Sequence, residues 1–135
     1  MRNLRFIPTK VHGMMDYGFG AFMSGMAFLG PNKNKKKVKK RPAQRYVPLG
    51  LAIGATAYSL FTKYELGLIK KVPMKVHLGI DMASGLFLGL APYVFKMDDR
   101  LKKAFVGLGA FEVMAGLLTK TETPKQHRFQ FLLGS

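Results

Sequence analysis

The chain carries the same residue pattern twice, and this internal repeat constrains its fold more than any other feature. The first copy opens with Lys10-Val11-His12 and continues to Asp16. Aligning Lys10 with Lys75 superimposes it on the segment that ends at Asp81, with seven identities in the fifteen positions 8–22. Such self-similarity predicts two tandem copies of one structural unit.

A second alignment extends the repeat, but at a shorter offset. It places six residues of 50–65 on identical residues: Gly50 on Gly107, Leu51 on Leu108, Leu60 on Leu117, Thr62 on Thr119, Lys63 on Lys120 and Glu65 on Glu122. The first alignment shifts the chain by 65 residues and the second by 57, and the difference, 65 − 57 = 8, equals the length of the run from Lys33 to Lys40. We therefore interpret this basic run as an insertion in the first copy.

Four apolar stretches give each copy two helices. They cover about 11–30, 46–62, 76–95 and 101–119, lengths that suit a bilayer core of about 30 Å. None alternates with the period of a strand. The predicted fold is therefore all-α, a four-helix transmembrane bundle built from two tandem two-helix repeats in parallel topology.

The predicted organisation is a single membrane domain over residues 1–135. Repeat 1 covers about 8–65 and includes a basic inserted loop at 31–45, repeat 2 covers about 73–122, and a C-terminal tail covers 123–135. Small residues at a spacing of four occur within the apolar stretches, as in Gly50-x3-Gly54 and Gly85-x3-Gly89. This spacing lets helices in lipid approach closely, so a homodimer through glycine-rich faces is a candidate assembly.

The formal net charge of +15 is concentrated in short runs, and long uncharged stretches separate them. This distribution favours contact with anionic lipid headgroups over nucleic-acid binding, because no aromatic residues interleave the main run. The residues expected at the headgroups are Lys33, Lys35, Lys36, Lys37, Lys39, Lys40 and Arg41. The expected partner is the lipid bilayer, no nucleic acid is expected, and a soluble basic nucleic-acid binder is the least favoured alternative.

The segment Lys75-Val-His-Leu-Gly-Ile-Asp-Met-Ala-Ser-Gly-Leu-Phe-Leu-Gly-Leu-Ala-Pro-Tyr93 resembles the SPW repeat of small bacterial integral membrane proteins. The naming motif is degenerate, because Ala91-Pro92-Tyr93 stands where Ser-Pro-Trp is expected and the first copy has Met26-Ala27-Phe28. The resemblance implies a helical, multi-pass protein of the bacterial cytoplasmic (inner) membrane. It implies no established activity, so no catalytic residue is carried over.

Ionisable residues lie within the apolar stretches. In each copy the histidine and aspartate are four residues apart and share one helix face. Because a helix rises by about 1.5 Å per residue, counting along the helices puts several polar residues at a common depth near one membrane face. This candidate intramembrane polar cluster comprises His12, Asp16, His77, Asp81, Glu112, Thr56 and Tyr58.

Three interpretations of the cluster stay open, since buried ionisable groups in membranes face partners or water. The favoured one is structural, with His–Asp pairs fixing the helix register and with neither catalysis nor a cofactor. The second is a proton- or cation-handling transporter or channel component, because histidine titrates near neutral pH. The third is a membrane metalloenzyme, since two histidines and three carboxylates suit zinc, iron or manganese. The chain has no cysteine, so a thiolate metal site is excluded.

Overall fold

A computed structural model describes residues 4–29 and 42–134. Over these residues it contains five helices and no named strand: α1 (Thr9–Leu29), α2 (Ala43–Phe61), α3 (Met74–Val94), α4 (Asp99–Leu118) and α5 (Pro124–Leu133). The all-α prediction is confirmed. The basic residues from Lys33 to Arg41 and most of the predicted inserted loop lie outside the described residues.

No described helix is both long enough and apolar enough, by its hydropathy, to qualify as a membrane-crossing helix.

The four long helices form two antiparallel hairpins, called here hairpin 1 (α1 and α2) and hairpin 2 (α3 and α4). Packing is extensive within each hairpin and sparse between them. The two copies of the sequence repeat correspond to these two hairpins. Contacts between the hairpins therefore decide whether the chain holds together as one unit.

The residues just before α1 pair with those just after α4, and the residues just before α3 pair with those just after α2. Ile7 bridges to Thr119, and Val72 bridges to Thr62. Four backbone hydrogen bonds make these bridges: Ile7 N–H to Leu118 O, Lys120 N–H to Ile7 O, Lys63 N–H to Val72 O, and Val72 N–H to Phe61 O, at 3.0, 3.0, 2.8 and 2.8 Å. We call this end of the bundle the closed end.

Toward the opposite end, an apolar core draws on all four long helices. Its buried members are Met23, Ala52, Leu88, Ala91, Met97 and Phe105. The apolar core and the bridges of the closed end lie at opposite ends of the hairpins, and the polar site described below lies nearer the closed end.

The helices of hairpin 2 approach closely where Gly85 and Gly109 face each other. A Cβ atom added to Gly109 would overlap the backbone of Gly85 and of Gly89. The Gly85-x3-Gly89 face is thus used within the chain, against α4. By contrast, a Cβ atom added to Gly50 or Gly54 on α2 would have no neighbour within 4 Å in the described chain.

Candidate functional site

Two histidines and two aspartates meet inside the bundle, near the closed end. His12 and Asp16 come from the second and third turns of α1, and His77 and Asp81 hold the same positions on α3. One ligand-type atom from each lies within 4.8 Å of those from the other three. These four residues, called the quartet, are all buried.

The short contacts of the quartet cross between the hairpins as well as running within them. His12 Nε2 lies 2.8 Å from Asp81 Oδ2 and 3.2 Å from Asp16 Oδ1. His77 Nε2 lies 3.1 Å from Asp16 Oδ2 and 3.3 Å from Asp81 Oδ2. Each histidine therefore faces both carboxylates, one from its own hairpin and one from the other.

A threonine from the opposite hairpin orients each imidazole. Thr119 Oγ1 lies 2.8 Å from His12 Nδ1, and Thr62 Oγ1 lies 2.7 Å from His77 Nδ1. Each threonine hydroxyl also donates to a backbone carbonyl four residues earlier, that of Ala115 at 2.6 Å or of Tyr58 at 2.7 Å. Because a hydroxyl has one proton to donate, its oxygen accepts from the histidine, and both Nδ1 atoms carry a proton.

Hydroxyl donors from hairpin 1 and the segment after it reach both carboxylates. Tyr58 donates to Asp81 Oδ1. Ser59 and Tyr64 lie 3.2 and 3.3 Å from Asp16 Oδ2 and donate to it. Buried carboxylates with several donors are held in one orientation, since each unsatisfied lone pair would cost free energy.

Tyr64 follows α2 and is almost completely buried, at 1% exposure. Burial, and next the negative charge of Asp16, raises the pKa of its hydroxyl well above the ordinary value, so that it stays protonated and donates. Its ring occupies the space beside Gly13, where an added Cβ would overlap the ring. A glycine at position 13 thus makes room for the tyrosine.

The remaining predicted cluster residues take different places. Tyr58 touches the quartet through Asp81, as described above. Glu112 is buried and accepts a hydrogen bond from Ser84 Oγ at 3.2 Å; Ser84 Oγ also lies 3.1 Å from the backbone oxygen of Asp81. Thr56 lies against Gly20, at the packing of α1 against α2. Glu112 contributes no ligand atom to the quartet.

Sequence reasoning missed Thr62, Thr119, Tyr64, Ser59 and Ser84 as parts of the site. A signal existed for the two threonines, because they are identical residues in the repeat alignment and end their helices at equivalent positions. No signal marked Ser59 or Tyr64, whose counterparts in the second alignment are Gly116 and Thr121.

The arrangement supports two kinds of chemistry. Two imidazoles and two carboxylates in mutual contact form a buried network that joins the helices bearing them. The same atoms form a donor set of nitrogen and oxygen suited to a transition-metal ion. Comparison of the chain with protein-family models, with curated proteins and with solved structures finds no match.

Proposed function

We propose that this is a small membrane-embedded helical protein in which the quartet joins two hairpins into one bundle. The joining role is supported mainly by which hairpins the contacts of the quartet connect. Both histidine–threonine bonds and the shortest histidine–aspartate contact run from one hairpin to the other, where other helix packing is sparse. The quartet adds polar contacts between the hairpins to the apolar core that the four long helices share toward the opposite end.

The membrane part of the proposal is supported by what the helices expose. Over 11–28, 46–61, 76–95 and 104–118, no described residue with a charged side chain is exposed, and the exposed side chains include Phe22, Ile53, Leu86, Leu90, Phe111 and Leu117. The first of these ranges is about 27 Å long, at a rise of about 1.5 Å per residue. An apolar surface of this extent is unusual for a soluble monomer and suits acyl chains.

Charged residues border this apolar surface at both ends. Near the closed end Lys10, Lys63, Lys75 and Lys120 are exposed, and they are two pairs of equivalent repeat positions. Near the opposite end Arg45 and Lys103 are exposed. Lysine and arginine at such borders reach lipid headgroups. Helix α5 adds exposed Phe129, Phe131 and Leu133 beside the closed end, which suits the membrane surface.

Membrane integration is tested by fractionation. The full chain is expressed in bacteria, and membranes are washed with alkaline carbonate, which strips peripheral proteins. We expect the chain to stay in the pellet and to be released by detergent. Release by carbonate alone, or by high salt, would contradict the membrane part of the proposal.

The joining role is tested by cutting the covalent link between the hairpins. A protease site is placed between Leu68 and Ile69, both exposed in the connecting segment. After cleavage in detergent, we expect the two halves to co-elute, and to separate when His12→Gln and His77→Gln are combined. The matched control is Asp99→Asn, which removes an exposed carboxylate paired only with Lys102 in the described chain. Halves that stay together in the double variant would contradict the joining role.

A second candidate function is proton or cation handling, and Glu112 is the observation that favours it. This carboxylate is buried, has no basic side chain within ion-pair distance in the described chain, and connects through Ser84 to the backbone of Asp81. Buried ionisable groups in series are typical of ion pathways. The test is pH-driven ion flux in liposomes. If the chain conducts ions, the wild type should show flux and Glu112→Gln should lose it. If it does not, neither protein should show flux.

A further inference from the structure

The inner face of the quartet has the form of a metal site, and we propose that it binds one divalent transition-metal ion of the zinc class. The ligands are His12 Nε2, His77 Nε2 and one oxygen each of Asp16 and Asp81. This inference deepens the joining role proposed above and rests on it, since the ion would tie together two ligands from each hairpin.

The protonation of the histidines is the first step of the argument. Thr62 and Thr119 donate their hydroxyl protons to backbone carbonyls and accept from the Nδ1 atoms. The Nε2 atoms therefore point at the carboxylates either as bare nitrogens or as the second N–H of an imidazolium. A histidine that ligates a metal ordinarily donates its other ring N–H to a fixed acceptor, and here both do so.

The position of His77 Nε2 distinguishes the two states. This atom is fully buried, and it lies within ion-pair distance of Asp16 and Asp81 without the alignment of a hydrogen bond to either. In the described part of the chain it has no hydrogen-bond partner. A proton on it would lie between two carboxylate oxygens without a well-aligned hydrogen bond to either, whereas a bare nitrogen aimed at a metal ion is satisfied.

The spacing of the ligand atoms fits a small ion. Asp81 Oδ2 lies 2.8 Å from His12 Nε2 and 3.3 Å from His77 Nε2. Asp16 meets the same two atoms with different oxygens, Oδ1 at 3.2 Å and Oδ2 at 3.1 Å. Metal bonds of about 2.0–2.1 Å in a tetrahedron place neighbouring ligands about 3.3–3.4 Å apart. Ligand atoms of the four side chains lie within 4.8 Å of one another, so modest side-chain shifts would bring both Nε2 atoms and one oxygen of each aspartate to this spacing.

Charge and ligand type indicate the class of ion. Two neutral imidazoles and two carboxylates carry a charge of −2, so a divalent cation leaves a neutral centre in the buried interior. Imidazole nitrogens favour zinc and its first-row neighbours over calcium or magnesium, which take oxygen ligands. Four protein ligands fill a tetrahedral site, so the ion is structural, with no position left for a substrate.

The wild-type chain itself provides the first test. The full-length protein is purified in detergent, freed of metal with a chelator and titrated with Co²⁺ and then Zn²⁺. We expect one Co²⁺ per chain, the visible absorption bands of tetrahedral cobalt, and loss of those bands as Zn²⁺ displaces it. A folded chain that shows no tetrahedral cobalt band overturns the proposal and leaves protons as the occupants of the quartet.

Variants then assign the ligands. Asp16→Asn and His77→Gln are expected to abolish the cobalt band, and Thr62→Val, which removes only the orienting bond, to weaken binding about 10- to 100-fold. The control Asp99→Asn should bind as the wild type does. Equal binding in Thr62→Val and wild type, or a cobalt band that survives Asp16→Asn, places the ion elsewhere and overturns the proposal. If the cleaved halves co-elute without metal and no cobalt band appears, the metal site is refuted and the joining role is retained.

Discussion

Hairpin 1 and hairpin 2 contain the same histidine, aspartate and threonine at equivalent positions, yet they differ in what surrounds them. Each provides a histidine and an aspartate to the quartet and a threonine to the other hairpin's histidine. The additional hydroxyl donors Tyr58 and Ser59, however, come from hairpin 1 alone, and hairpin 2 has Ala115 and Gly116 in their places. The repeated residues make the contacts that join the hairpins, and each of the two unrepeated residues donates a hydrogen bond to one carboxylate.

The hairpins also differ in how closely their helices pack. Gly109 of hairpin 2 faces Gly85, whereas its counterpart in hairpin 1 is the buried alanine Ala52. At the level of Gly20, the equivalent of Gly85, the neighbour is the side chain of Thr56. Hairpin 2 thus depends on backbone contact and hairpin 1 on side-chain contact, which predicts different tolerance to added atoms.

The largest expected effect tests whether the two histidines are equivalent. His12→Gln and His77→Gln should each lower the free energy of unfolding by about 3–5 kcal/mol, because removal of one partner leaves buried charges uncompensated. Denaturant unfolding in detergent, followed by circular dichroism, measures both losses. A large loss in one variant and none in the other would show that the junction is not symmetrical.

The next effect separates the hairpins by their packing. Gly109→Ala should destabilise the protein by about 3 kcal/mol, since the new methyl group overlaps the backbone of α3. Gly107→Ala on the same helix is the matched control, because nothing in the described chain lies near its added carbon, and it should be neutral or stabilising by up to about 1 kcal/mol. Equal effects of the two substitutions in thermal unfolding would contradict the close backbone contact.

A smaller effect tests the donors that only hairpin 1 provides. Tyr58→Phe should lower the free energy of unfolding by about 2 kcal/mol, because it removes a hydrogen bond to a charged group. Tyr93→Phe removes a hydroxyl from an exposed residue and should stay within about 0.5 kcal/mol of the wild type. If the two variants unfold at the same denaturant concentration, the Tyr58 hydroxyl does not support Asp81.

The smallest effect concerns a contact at the closed end that one hairpin lacks. Thr9 donates to Glu65 Oε2 at 2.7 Å, whereas its counterpart Met74 has no hydroxyl. Thr9→Val should cost about 1 kcal/mol. Glu65→Gln keeps an oxygen acceptor and should cost less, so a larger loss in Glu65→Gln would show that its charge matters more than the hydrogen bond.

The helices of both hairpins were predictable from the sequence, because uninterrupted apolar stretches of this length and the repeat specify them. The bounds agree to within a few residues, as for α3, predicted at about 76–95 and found at Met74–Val94. Helix α5 was not predicted, although Thr123 and Gln126 form a capping box that marks its start. A polar composition hid this helix, since periodicity was the main guide.

The quartet's members were predictable, but its connections were not. Position along the helices suggested that Glu112 would lie beside the aspartates. In the structure it accepts a hydrogen bond from Ser84 instead. Depth ignores the rotation of a helix about its axis, which decides where a side chain points. Which histidine meets which threonine also depended on the closed end, a tertiary contact with no local signal.

The contacts at the closed end do not depend on which helices the chain connects directly. The bridge between Ile7 and Thr119 repeats the one between Val72 and Thr62, although a short connection links only the second pair. A gene permuted to begin near residue 72 would therefore encode the same contacts, with a linker joining 120 to 7. By the same reasoning, one hairpin made twice would assemble as a two-fold symmetric dimer, an ancestral form from which tandem fusion would produce the present chain.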